Sequence, residues 1–290
     1  MSAVPWLDEL PSVIAELADR WRLSFTGQPE SGSLGCVLFA EDSVGHAVVL
    51  KVPHSPTAGR QELEMLTTWA SRYISPQPLA YDGVSGAYLM ERVTPGGEWV
   101  ASNGQRGADD FARALDLLHL TETQRLNSTL LTDRELIAMR SSWGHEHATA
   151  TGTPGFRSLV IHGQALAETM LHTVRHRQLV HGDLTSENLL CGADGLQVID
   201  PMPAIGEREF DAALWVTHQD SEPILSRVEQ LSRSGFDHDR LLRWVTALAA
   251  LELRAGHRFA ARQAAFLGSA AAMEVMPLDE PARSALELLS

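Results

Sequence analysis

Lysine is almost missing from these 290 residues: of 23 basic side chains, 22 are arginine and only Lys51 is lysine. Cysteine is scarce too. Cys36 and Cys191 cannot build a disulfide framework, and neither lies in a C-x-x-C or metal-ligand spacing. No stretch approaches the roughly 20 consecutive apolar residues that cross a bilayer; the most apolar segment, residues 241–253, is interrupted by Arg243 and Glu252. The opening residues 1–9 lack the basic and apolar regions of a secretion signal, so a soluble, cytoplasmic protein with no membrane partner is expected. A cationic surface is also missing, because 37 acidic residues leave a formal charge of −14. That balance excludes nucleic acid as a partner, since affinity for phosphate backbones depends on clustered Lys and Arg. It suits a small cationic molecule, which an acidic cleft concentrates.

What is present is an ordinary globular composition, 44% apolar and 21% charged, with no internal repeat. Leu10, Val13, Ile14, Leu17 and Trp21 recur at helical spacing over residues 7–21. Residues 36–39 and 47–53 read as strands of an antiparallel hairpin turning near 42–45. A helix over 60–73 and a second hairpin, 79–81 with 87–93, follow. The turn-rich segment 94–107 is the candidate boundary between lobes. Beyond it helices are expected over 109–120, 133–147 and 156–176, with 149–155 a mobile loop. Two short strands, 189–191 and 196–199, flank the turn Gly192-Ala193-Asp194-Gly195. Asp237 is the expected N-cap of a helix that stops at Gly256. A strand-rich first third and a helix-rich remainder indicate an α+β chain in two lobes, residues 1–93 and 94–290.

The chemistry concentrates in Leu179-Val180-His181-Gly182-Asp183-Leu184-Thr185-Ser186-Glu187-Asn188 and in Val198-Ile199-Asp200-Pro201. An Asp and an Asn five residues apart, then a carboxylate closing a strand, supply what phosphoryl transfer from a nucleotide needs. One carboxylate orients an acceptor hydroxyl, while an amide oxygen and a second carboxylate hold Mg2+ on the donor phosphates. An isolated Asp-x-x-x-x-Asn is equally an Asx-turn loop; the preceding His-Gly and the hairpin leading to Asp200 favour the catalytic reading. Lys51 stands in an apolar strand, where an unpaired ammonium is costly, so it needs a carboxylate or phosphate partner. The helix from residue 60 offers Glu62 and Glu64, of which Glu62 is favoured.

On these residues the chain resembles the aminoglycoside phosphotransferase family, whose fold is the bilobal protein-kinase-like one. The succession Ile199-Asp200-Pro201, Gly206-Glu207 and Phe210-Asp211 is similar to its branch of streptomycin 6-phosphotransferases and hydroxyurea kinases, as is the opening Leu10-Pro11 through Trp21. The resemblance is specific over about residues 179–215. It implies a small antiparallel-sheet lobe and a larger, mostly helical lobe that carries the catalytic loop, the metal site and the acceptor site.

By the same resemblance Asp183 is the catalytic base, Asn188 and Asp200 bind Mg2+, and Lys51, paired with Glu62, reaches the phosphates of ATP or GTP. Ser33, in the short Ser31-Gly32-Ser33-Leu34-Gly35 turn, would cover those phosphates with neighbouring backbone N–H groups. The backbone at Glu91 and Val93 would meet the purine. Asp211, otherwise a helix cap, would support the catalytic loop. Thr185 stands where the branch usually carries histidine.

The expected activity is transfer of the γ-phosphate to a hydroxyl of a small cationic antibiotic. A streptomycin-like aminoglycoside is favoured, and a cyclic peptide such as capreomycin or viomycin is the other candidate. The alternatives are a metabolic small-molecule kinase acting on a hydroxy-amine, sugar or hydroxamate, and a non-catalytic nucleotide-binding regulator. Retention of Lys51, Asp183, Asn188 and Asp200 weighs against the regulator. His145-Glu146-His147 and the pair His172 and His176 lack a zinc-site pattern and read as solvated helix ends.

Overall fold

The computed structural model describes residues 4–27, 30–32, 35–119, 130–174, 176–219 and 222–289. They group into two compact units, the first reaching Gly97 and also taking Leu190–Pro201, the second holding the other described residues from Glu98 onward. The expected single boundary at 93/94 differs in one consequential way: the hairpin that delivers Asp200 groups with the first unit rather than the second.

In the first unit, α1 (Val4–Trp21) precedes β1 (Ser24–Phe25), β2 (Glu30–Gly32), β3 (Gly35–Glu41) and β4 (Ala47–Pro53). Then come α2 (Pro56–Ala70), β5 (Pro78–Tyr81) and β6 (Tyr88–Glu91). The sheet runs β1-β3-β4-β6-β5, with β2 also on β3. Period-two alternation gives its strands two faces. Cys36, Leu38, Ala40, Val48, Leu50 and Val52 point to one face, where Leu17 and partly buried Leu10, Val13 and Ile14 of α1 cover them. Val49, Tyr88 and Met90 point to the other and pack on Leu66 and Leu63 of α2. Each such side chain, fully buried, contributes about 1.5–3 kcal/mol of transfer free energy. Helix α2 starts earlier than periodicity suggests, because Ser55 caps it by accepting from the Ala58 N–H at 3.2 Å and Pro56 occupies its first turn.

The strand β7 (Pro95–Glu98) pairs with β10 (Leu189–Gly192), which forms a hairpin with β11 (Gly195–Val198). This hairpin is moored by Val198 N–H to Ile74 O at 2.8 Å and Gln197 Nε2 to Tyr73 O at 2.8 Å.

The second unit holds α3 (Gln105–His119), β8 (Leu131–Thr132), α4 (Asp133–Thr151), α5 (Pro154–His172) and β9 (Gln178–Val180). These are followed by β12 (Ala204–Gly206), α6 (Arg208–Thr217), α7 (Ile224–Arg233), α8 (His238–Glu252), α9 (Ala260–Leu267), α10 (Ala270–Val275) and α11 (Glu280–Glu287). Helix α8 is its axis, buried from Leu241 to Leu251 apart from Arg243 and packed by α5 and α6. Asp237 caps it as expected, accepting from the Arg240 N–H at 3.0 Å, but the helix ends at Glu252, before Gly256.

The expected loop over 149–155 is largely helical. Thr132 and Glu135 close a capping box at the start of α4, which runs to Thr151, and only Gly152 and Thr153 separate it from α5. Gly152 at φ 67° ends α4 in the left-handed conformation glycine adopts freely. No described helix is long and apolar enough to cross a membrane.

Candidate active site

In the first unit the sheet register sets Lys51 of β4 beside Tyr88 of β6 and Val37 of β3, on the face that α2 covers. Lys51 is 4% exposed. Its Nζ lies 2.7 Å from Glu62 Oε2 and also donates to Asp200 Oδ1. Tyr88 Oη donates to the same Glu62 oxygen at 2.8 Å. Of the two glutamates weighed on α2, it is Glu62 that faces the lysine. Burial alone would push the Lys51 ammonium down, but Asp200 and Glu62 outweigh it and hold the ammonium above the ordinary lysine value. Glu62 is pushed up by its burial, with Lys51 opposing.

Asp200 follows the moored hairpin and adopts φ 56°, a left-handed conformation uncommon for a non-glycine residue. That turn aims its carboxylate at Lys51 while 44% of the side chain stays exposed.

Glu91 and Val93 lie at and just beyond the end of β6; the Glu91 N–H is taken by Gln77 O at 2.9 Å, so only its carbonyl is open to a base edge on that count. Ser33 lies outside the described residues.

In the second unit β12 pairs parallel with β8 and antiparallel with β9, Ala204 facing Val180 and Leu131. This small sheet fixes both ends of the loop that follows β9. Met202 N–H donates to His181 O at 2.8 Å. Asp211, expected either to cap α6 or to support the loop, lies inside a helix that starts at Arg208. Its fully buried carboxylate accepts from the His181 N–H at 2.7 Å and the Gly182 N–H at 2.9 Å, with His119 Nε2 3.0 Å away. Burial works against its charge, yet the His119 contact and the Gly182 N–H hold it below the usual carboxylate value. Gly182 at φ 78° leaves no room for a Cβ against Met202 O, so the His-Gly-Asp order is sterically required.

Asp183 is thereby presented with its side chain 31% exposed. Oδ2 accepts from Asn188 Nδ2 at 3.1 Å, and the same amide donates to Asp183 O at 2.7 Å. Those bonds turn the Asn188 Oδ1 away from Asp183, free to serve as a hard ligand. Oδ1 of Asp183 accepts from Arg140 Nη2 at 3.0 Å. Arg140, on α4, also bonds Gly182 O at 2.6 Å and pairs with Glu252 at the end of α8. Burial opposes its charge, but Glu252 and Asp183 hold the guanidinium above its ordinary value.

Motif reading misses Arg140, although a signal exists: it stands on the buried stripe Leu136, Ile137, Arg140, Ser141, Gly144, Ala148, where an arginine is anomalous. It also misses Arg258, which forks onto Glu98 with both contacts at 2.9 Å and reaches Ser186 Oγ in the catalytic loop at 2.7 Å. No local pattern marks that residue. Glu207 explains the Gly-Glu pair, accepting from Arg240 Nε and Trp244 Nε1, both at 2.8 Å, and tying the start of α6 to α8. Of the paired histidines, His147 Nε2 accepts from the Ala255 N–H at 3.1 Å, a structural role.

Among the described residues no group of three or more His, Cys, Asp or Glu could hold a metal by itself. The donors on hand, the Asn188 amide oxygen in one unit and the Asp200 carboxylate in the other, are the hard oxygens Mg2+ takes, and that ion completes its shell with phosphates and water. The residues therefore fit the ion.

Comparisons with known proteins agree with this chemistry. The family model described as aminoglycoside/hydroxyurea antibiotic resistance kinase matches residues 20–257. A streptomycin 3''-kinase from Klebsiella pneumoniae is 28% identical over 80% of this chain and 88% of its own length. A streptomycin 6-kinase from Streptomyces glaucescens is 26% identical over 72% of this chain and 67% of its own. Among solved structures, a choline kinase from Streptococcus pneumoniae superposes with a TM-score of 0.61 at 13% identity, covering 97% of each chain, a likeness of fold. The protein-kinase-like fold, the Asp183–Asn188 loop and the family match converge: this chain belongs to the aminoglycoside/hydroxyurea antibiotic resistance kinase family and is an ATP-dependent phosphotransferase acting on a small-molecule hydroxyl.

Proposed function

We propose that the chain phosphorylates a hydroxyl of a small cationic antibiotic, a streptomycin-like aminoglycoside first among them. The observation that carries this reading is the Asp183 carboxylate, held at both oxygens by Asn188 and Arg140 yet still open to solvent. Such a group orients a hydroxyl and accepts its proton. The acceptor oxygen bonds to the γ-phosphorus as the bond to the β,γ-bridging oxygen breaks, the proton passes to Asp183, and ADP leaves.

Lys51 supplies a preformed positive charge beside the donor phosphates. Asn188 and Asp200 would hold Mg2+, which when bound neutralises charge on the β- and γ-phosphate oxygens. Glu91 and Val93 offer backbone to the purine, and Asp211 keeps the loop in place. The formal charge of −14 and the streptomycin kinases among the relatives support a cationic acceptor over a neutral one.

Incubation with ATP, Mg2+ and a panel of streptomycin, capreomycin, viomycin and metabolic hydroxy-amines, read by mass spectrometry, tests the proposal. A gain of about 80 Da, one phosphoryl group, is expected on streptomycin. Transfer confined to a metabolic hydroxy-amine or sugar would replace the antibiotic reading with that of a metabolic kinase. In the same assay Asp183→Asn is expected to lower turnover by about 10²–10⁴.

A further inference from the structure

We infer that Arg140 is a positioning residue for phosphoryl transfer, fixing the rotamer of Asp183 while Glu252 fixes Arg140. The inference rests on the reading of Asp183 as the base.

The guanidinium is enclosed, with its side chain 2% exposed. Burying that charge costs several kcal/mol unless an anion accompanies it. Glu252, itself buried and pairing with Nη1, meets this need without help. Gly144, one turn on from Arg140, makes the pairing possible: a Cβ there would lie 3.0 Å from Leu251 O, so α4 and α8 can run close only with glycine at the crossing. The second contact, to Asp183, is not required for Arg140 to be stable. Nor does Asp183 need it, since water can reach its carboxylate. What the contact does is geometric.

One nitrogen, Nη2, bonds both the main-chain oxygen of Gly182 at 2.6 Å and the side-chain Oδ1 of Asp183 at 3.0 Å. That bridge ties the carboxylate to its own backbone. Asn188 Nδ2 repeats the arrangement from the other side, bonding Asp183 O and Oδ2. With each oxygen held, both side-chain torsions are locked and the outward lone pairs face a single direction. A cation beside a base disfavours protonation of that base, so Arg140 does not serve to make Asp183 more basic. In phosphoryl transfer through a loose transition state, placement of the acceptor oxygen outweighs basicity, which suits this trade. The planar fork is essential to reach Glu252, Gly182 and Asp183 together; a lysine ammonium is a point donor.

Steady-state kinetics of variants test the role, with unfolding followed by circular dichroism. Arg140→Met alone strands Glu252, so the double variant Arg140→Met/Glu252→Gln removes both charges and separates folding from turnover. It is expected to unfold cooperatively near the wild-type temperature, with kcat down about 10²-fold, the cost of a small misplacement of reacting groups. KM for ATP and for the acceptor should stay within about threefold.

Arg140→Lys keeps Glu252 paired and tests the fork alone, with about tenfold lower kcat expected. Added to Asp183→Asn, the Arg140 substitution should cost almost nothing further, because both act through one carboxylate. Wild-type kcat in either the folded double variant or Arg140→Lys overturns the positioning role. So does a loss that multiplies in full on Asp183→Asn. Wild-type turnover in Asp183→Asn by itself refutes instead the assignment of the base, a separate failure.

Discussion

Lys51 and Arg140 are both enclosed cations shared between two carboxylates, one in each unit of the chain, yet they are built to different ends. Lys51 projects from a strand and meets Glu62, buried like itself, and Asp200, which is half exposed. An ammonium has no preferred plane, so it can exchange one oxygen for another without reorienting the lysine. Arg140 projects from a helix and meets its partners through a rigid fork whose separate nitrogens are committed to Glu252 and to the Gly182–Asp183 pair. The difference teaches that a buried cation's identity reports its task. A compact charge suits a site where an incoming phosphate must be received, and a planar one suits a site where a carboxylate must be kept still.

Exchanging the two side-chain types is the sharpest way to break this comparison. Lys51→Arg places a longer, planar cation between Glu62 and Asp200 and is expected to lower kcat/KM for ATP by about 10²-fold or more, measured with ATP varied at saturating acceptor. Near-native kinetics would show that only charge matters there.

A smaller effect is expected where a carboxylate, not a cation, organises the site. Asp211→Asn removes charge from three contacts and should cost about 2 kcal/mol of unfolding free energy at neutral pH, the scale of one hydrogen bond to a charged group. The pH dependence has a definite sign. Asp211 is held below its ordinary value in the folded chain, against its burial, by His119 and the loop amides; Glu252 is likewise held below, against its burial, by Arg140. Their contribution is therefore complete above the unfolded carboxylate values of about 4 and is lost as pH falls through the lower folded values. Denaturant titrations from pH 7 down to pH 2 should show the gap between wild type and Asp211→Asn shrinking below about pH 4; a constant gap would contradict the assignment.

The smallest effect concerns the whole molecule rather than either cluster. If the −14 charge draws in a cationic acceptor, KM for streptomycin should rise several-fold between about 0.05 and 0.5 M salt as screening shortens the Debye length, while kcat stays level. An unchanged KM would remove charge from the account of acceptor choice.

How far the letters carry is visible in particular residues. The strands around Lys51 are legible because alternation and β-branched runs dictate a two-faced sheet. The Asp183–Asn188 loop is legible because its chemistry is packed into a few adjacent positions. Asp200 announces itself as a carboxylate ending a strand, but its left-handed φ and its mooring through Ile74 and Tyr73 do not. The expected loop at 149–155 fails because the helix-ending signal at Gly152 is nearly overlaid by the Thr153-Pro154 start of the next helix. Asp211 reads as a cap from its place near a helix start, whereas its bonds run to the loop at 181–182. Local propensity cannot distinguish the two.

The order of residues was enough to establish the family chemistry, the cation in the strand and the acidic balance that turns the chain away from nucleic acid, because these depend on neighbours in sequence. Folding alone chose Glu62 over Glu64, brought Arg140 to Asp183 from 43 residues away and lodged Glu252 behind it from the far end of α8. Such pairings are set by which helix face is buried and how closely two helices cross at a glycine, and neither is encoded within reach of any local motif.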